Sequence, residues 1–167
     1  MKAIPVPITT LAWVAIMLLA LSACGSGARE IRGELPLIRV EGLIVDGEQV
    51  TLTVGLRNVN DRTLDLRRLK VRMKVEDRLL LEADAQPQID ISARGRDVVT
   101  LRGRGQTAGL ELLAQRFDQP AANDLPTASL NAQWSMELTL VDDRDRESGT
   151  RASGFLHPVP GRPGHFR

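Results

Sequence analysis

The sequence predicts an all-β domain, a two-sheet sandwich of about seven strands with one short inserted helix. Two observations carry this. Apolar and polar residues alternate with period two in one short segment after another, with turn-forming residues between them. Only one stretch departs from that period, and no β-then-α rhythm of a parallel sheet is present.

Leu37 to Val45 is rich in Leu, Ile and Val, and Asp46-Gly47 is a dipeptide favoured in tight hairpins. Val50, Leu52, Val54 and Leu56 then alternate with Thr51, Thr53, Gly55 and Arg57, so a hairpin with one buried face is expected. Leu69, Val71, Met73 and Val75 alternate again, whereas Leu64 and Leu66 before them lie in the opposite phase. That change of parity demands a bulge or a bend. Leu79 to Leu81 and Val98 to Leu101 read as shorter strands. Leu130, Ala132, Trp134, Met136, Leu138 and Leu140 form the longest alternation, and Phe155 and Leu156 close a last strand after a polar Asp142 to Thr150 turn. The arrangement suits an immunoglobulin/fibronectin-III-like sandwich.

Between Ala108 and Asp118 the spacing changes to three and four. Leu110, Leu113 and Phe117 fall on one helical face, Thr107 can cap the start and Pro120 lies past the end. The sandwich is expected over residues 36–157. Pro158, Pro160, Gly161, Pro163 and Gly164 then make residues 158–167 read as a disordered tail.

The start of the chain has a different character. Leu11 to Leu21 is uncharged and apolar. It is too short for a bilayer-spanning helix, which needs about 20 residues, and suits the apolar core of a secretory signal. Leu21-Ser22-Ala23-Cys24 follows, and it resembles the lipobox of bacterial lipoproteins. The resemblance implies a leader over residues 1–23 and a diacylglyceryl group on Cys24, with the new N-terminus acylated as well. It also gives the chain's single cysteine a use as a lipid attachment point. One acyl chain binds reversibly, at about 0.8 kcal/mol per buried methylene, and two or more hold stably. A flexible lipidated tether over residues 24–35 is expected, with Gly25-Ser26-Gly27-Ala28 suited to it. In sorted lipoproteins an Asp after the cysteine favours the inner membrane. Gly25 at that place implies the outer membrane of a Gram-negative envelope, facing the periplasm.

Val50 to Gly103 resembles the type 2 late embryogenesis abundant (LEA) proteins, also called the WHy or water stress and hypersensitive response domain. The matching residues are Asn58-Val59-Asn60, followed by Leu64, Leu66, Leu69 and Val71. The family has proline between the asparagines, so the rigid φ it supplies is missing at Val59. The resemblance spans roughly Leu37 to Leu156. It implies a sandwich and a role in tolerance of desiccation or other stress. At a strand end, Asn58 and Asn60 are best read as structural, satisfying main-chain polar groups where the ladder stops. The functional alternative is a polar ligand site.

Charge excludes several partners. The chain has 22 Lys and Arg against 21 Asp and Glu, and removing the leader takes away only Lys2. The balance gives no electrostatic case for nucleic acid or anionic headgroups. His157 and His165 both lie in the tail, Tyr is absent and Cys24 is committed to lipid, so the usual catalytic pairings are missing and no enzyme is expected. Asp142, Asp143, Asp145 and Glu147 form the densest acidic cluster, but Arg144 and Arg146 interrupt it. It reads as a solvated turn, not a calcium site. Gly103-Arg104-Gly105 lacks the Lys and Ser/Thr spacing of a phosphate loop. No metal or cofactor is expected.

Two functional readings follow. The first is a lipid-anchored protective module that holds lipid or another apolar molecule, in a groove between the sheets or beneath the helix, with Leu110, Leu113 and Phe117 as its lid. The second is an adaptor lipoprotein that docks another envelope protein.

Overall fold

The computed structural model describes residues 30–117 and 131–167. Strands β1 (Leu37–Asp46) and β2 (Gln49–Arg57) form the expected first hairpin. Asp46 pairs with Gln49, so the loop is Gly47-Glu48, one residue later than the Asp46-Gly47 dipeptide suggested. Gly47 holds φ +56°, the sign that glycine supplies at the first central position of a II′ turn.

Strand β3 (Leu64–Leu66) pairs with β6 (Ile89–Ile91) in a two-stranded ribbon, while β4 (Arg68–Val75) enters a different sheet. The opposite phases of Leu66 and Leu69, both fully buried, are reconciled by this change of sheet. At the bend the Arg67 N–H donates to the Val141 carbonyl at 2.9 Å. The remaining elements are β5 (Arg78–Ala85), β7 (Arg96–Arg104), α1 (Thr107–Phe117), β8 (Ala132–Val141), β9 (Glu147–Leu156) and β10 (His165–Phe166).

One large sheet has the order β10-β1-β2-β7 and the other β5-β4-β8-β9, with all pairs antiparallel. The all-β sandwich expected from the sequence is present. Its seven long strands, each of at least 8 residues, divide three and four between the sheets as in immunoglobulin-like sandwiches. The short β3, β6 and β10 are additions to it. The core lies between the inner faces: Val50, Leu52, Val54 and Leu56 from β2, Leu69, Val71 and Met73 from β4, and Trp134, Met136 and Leu138 from β8.

Helix α1 starts one residue earlier than a Thr107 cap implies. The Gln106 carbonyl accepts the Leu110 N–H at 3.1 Å, which makes Gln106 the cap and Thr107 the first helical residue. The Gln106 N–H donates to the Leu80 carbonyl at 2.8 Å and thereby seats the helix on β5. Gly109 permits the close approach: a Cβ there would lie 2.7 Å from the Leu79 carbonyl oxygen and 2.7 Å from Leu80 Cα. Leu113 is buried in the core, and Arg116 forms an ion pair with Glu76 in the β4–β5 turn. Leu130 and Pro120 lie outside the described residues.

Three boundaries are corrected. The polar turn is shorter than Asp142 to Thr150, because β9 pairs with β8 from Glu147 onward. Residues 158–167 are not a disordered tail. Phe166 pairs with Leu43 and His165 with Ile44, Pro158 bridges to Phe166, and Phe166 is buried. The tether does not extend to residue 35 either, since the segment from Ile31 to Glu34 is hydrogen-bonded to the end of the sandwich. Proline and glycine content misled at the tail, because these residues make tight reversals as readily as flexible chain.

Candidate functional site

Asn58 and Asn60 follow directly on β2, and both are buried, Asn58 completely. Asn58 Nδ2 donates to the carbonyls of Arg62 (2.7 Å), Ile91 (3.1 Å) and Ser92 (3.1 Å). Its Oδ1 accepts from the Asn60 N–H at 2.9 Å and from Asn60 Nδ2 at 3.0 Å. Asn60 in turn closes a two-way pair with Glu34: the Glu34 N–H donates to Asn60 Oδ1 and Asn60 Nδ2 donates to the Glu34 carbonyl, both at 2.8 Å. Backbone bonds from Asn58 N–H to the Gly95 carbonyl (2.9 Å) and from Arg94 N–H to the Asn60 carbonyl (3.0 Å) complete the knot. Among the described residues no buried side-chain nitrogen or oxygen lacks a partner, so the pair is consumed by main-chain groups. Half-buried Val59 sits between them, and its N–H makes no backbone bond among the described residues.

Asp61 extends the knot. Its Oδ2 accepts the Ile31 N–H at 2.7 Å, its N–H donates to the Ile31 carbonyl at 2.9 Å, and Arg94 Nε donates to Oδ1 at 2.8 Å. The Arg94 guanidinium and the Ile31 N–H hold its carboxyl below the usual carboxylate range. The segment Ile31 to Glu34 is therefore a strap fastened to the sandwich by Asn60 and Asp61. Asp61, Arg94 and Glu34 were not anticipated from the sequence. The only local signal was three polar residues, Asn60, Asp61 and Arg62, packed behind a clean strand.

A second feature lies beside the helix. Leu110, Leu113 and Phe117 come together on one wall of a groove of about 970 Å³, whose other wall is the C-terminal segment with Pro158, Val159 and Phe166. The groove lies between the helix and this C-terminal segment. The rings of Phe117 and Phe166 meet with centroids 4.9 Å apart, tilted by 57°. Phe166 was missed because the tail was read as unstructured. Asp46, Glu111, Arg162 and His165 also line the groove.

The acidic cluster forms a turn. Asp142 Oδ1 accepts the N–H groups of Arg144 and Arg146, both at 2.9 Å, and Oδ2 accepts Arg146 Nε at 2.7 Å. Asp65 and Asp90 stand opposite each other in the β3–β6 ribbon. Desolvation and the hydrogen bond to Asp90 raise the Asp65 carboxyl above its ordinary range, with Arg67 only partly offsetting them from 3.7 Å. Cys24 lies outside the described residues. No helix among the described residues is long and apolar enough to cross a membrane.

Neither the family models nor the curated proteins contain a match to this sequence. Among solved structures, the chain is similar to a protein from Archaeoglobus fulgidus, with TM-score 0.46 and 8% identity over 75% of this chain and 98% of that one. It is similar also to AT1g01470 from Arabidopsis thaliana, with TM-score 0.47 and 10% identity over 80% and 92% of the two chains. A third, At2g46140.1, named for the late embryogenesis abundant class, gives TM-score 0.42 and 11% identity over 91% and 84%. At these scores and identities the likeness carries no argument about activity or ligand.

Proposed function

We propose that this chain is a non-enzymatic envelope lipoprotein of the LEA type 2/WHy-like kind. Lipid on Cys24 holds it at the outer membrane, facing the periplasm, and it serves tolerance of desiccation or envelope stress. The observation that supports this best is the Asn58–Asn60 knot. The two asparagines that carry the family resemblance grip the segment immediately after the tether. A pull from the membrane on Cys24 then enters the sandwich through a hydrogen-bonded joint whose far side, Asn58 and Asn60, is buried.

In this reading the groove beside α1 takes lipid or another apolar molecule, with Leu110 and Phe117 as wall residues. The residue content supports binding over catalysis: both histidines, His157 and His165, lie in the C-terminal segment, and the sequence has no Tyr.

The test compares wild type with Cys24→Ser in the native host. Loss of membrane fractionation together with reduced survival of drying is the expected result. Unchanged fractionation removes the anchor, and unchanged survival on deleting the whole gene removes the stress role. Apolar fluorophore uptake that Phe117→Ser abolishes supports the groove, whereas a stoichiometric envelope protein recovered after cross-linking, with no bound lipid, favours an adaptor.

A further inference from the structure

The two large sheets end in four edges, and three of these are protected against pairing with another chain. Edge β7 carries Arg96, Asp97, Arg102 and Arg104. Edge β5 has a register break at Met73/Lys74, and helix α1 caps it through the bond from Gln106 N–H to the Leu80 carbonyl. Edge β1 has a bulge at Glu41 and is covered beyond it by β10 at Leu43 and Ile44. Charges, bulges and covering segments are the devices by which natural sheets avoid edge-to-edge joining.

Edge β9 has neither a bulge nor a covering segment among the described residues, and it carries two charged residues where β7 carries four. It runs for 10 residues with unbroken register against β8, contains neither Pro nor Lys, and pairs with no other strand among the described residues. Its two charges are turned to its own sheet, Glu147 to Lys70 at 3.0 Å and Arg151 to Glu137 at 3.3 Å. Phe155 projects from it 59% exposed.

We propose that two copies of this chain join along β9, antiparallel, with Ala152 on the two-fold axis, so that the β5-β4-β8-β9 sheets become continuous. The strand is self-complementary in that register. Phe155 of each copy falls opposite Gly149 of the other, where an aromatic side chain covers the backbone that glycine leaves bare. Thr150 meets Gly154 and Arg151 meets Ser153, so outward residues face outward ones and inward residues face inward ones. Sliding the copies by two residues one way sets Arg151 against Arg151, and sliding them the other way shortens the paired stretch.

The test uses the full-length lipoprotein in detergent, with its mass followed by sedimentation as concentration rises. Gly149→Lys with Ser153→Lys supplies the missing edge charges at exposed positions, and a side chain at Gly149 meets no atom within 4 Å in a single copy. Doubling of the wild-type mass, a monomeric double variant with an unchanged melting curve, and disulfide-linked Ala152→Cys dimers in membranes are the expected results. A wild type that stays monomeric throughout overturns the proposal. So does a double variant that dimerises as before, because the interface then lies elsewhere.

Discussion

Asn58 Oδ1 accepts both the main-chain N–H and the side-chain Nδ2 of Asn60, at 2.9 and 3.0 Å, so the two asparagines act as one buried unit. Asn58 needs both its ends for this. The amide nitrogen holds three carbonyls, one from the β2–β3 loop and two from the end of β6 and the residue after it, while the oxygen orients Asn60 toward the strap.

Replacing Asn58 by Ala strands several buried groups, each costing about 1–3 kcal/mol, and should destabilise the sandwich by about 3 kcal/mol or more. Asn58→Asp should be worse in spite of its equal shape, because a carboxylate then faces three carbonyl oxygens. Urea unfolding of the two variants checks the order. Equal stability of Asn58→Asp and wild type would show that the donated bonds contribute little.

Pro in place of Val59 restores the rigid φ of the family pattern at a position whose N–H makes no backbone bond among the described residues. The expected outcome of Val59→Pro is a gain of about 0.4–1 kcal/mol, by restricting the unfolded chain. A lower melting temperature would mean that the native φ at residue 59 does not suit proline.

Asp61 gives the strap a pH limit. Its folded pKa lies below the ordinary 3.8, so its contribution is fully present above that value and is lost as pH falls through the depressed one. Hydrogen exchange of the Ile31 amide should therefore stay protected down to about pH 4 and then lose protection. Asp61→Asn should weaken that protection at neutral pH. Protection that is indifferent to both changes contradicts the assignment of Asp61 as the clasp.

Asp65 behaves in the opposite sense. Its folded pKa is raised, so the ionised group disfavours the folded state above that pKa, and the penalty vanishes well below 3.8, where both states are protonated. Asp65→Asn should raise the melting temperature at pH 7 and leave it nearly unchanged at pH 3. A variant less stable than wild type at neutral pH would assign Asp65 a favourable bond to Arg67 that outweighs its repulsion by Asp90.

Much of the fold was legible because the strands have one buried and one exposed face. The clean alternation of Val50 to Leu56 and of Ala132 to Leu140 matches β2 and β8, and the parity break at Leu66 and Leu69 marks the change of sheet. Period-two reasoning failed where the outward residues are small. Glu147 to Thr150 read as the end of a turn, yet they open β9 in a full ladder with β8. It failed also at Phe166, whose burial depends on a contact with β1 far away in sequence. At the site, Asn58 and Asn60 were visible and their structural reading agrees with their bonds. Their partners were not, since Glu34 and Ser92 are joined to them only by the closed fold.

The measurement that bears most directly on the whole account is intact-mass spectrometry of the protein extracted gently from membranes of its native host. The account requires a chain that begins at Cys24 and carries a diacylglyceryl group, with bound lipid released in proportion to protein. A chain that retains its leader, or that begins elsewhere with Cys24 as a free thiol, contradicts it.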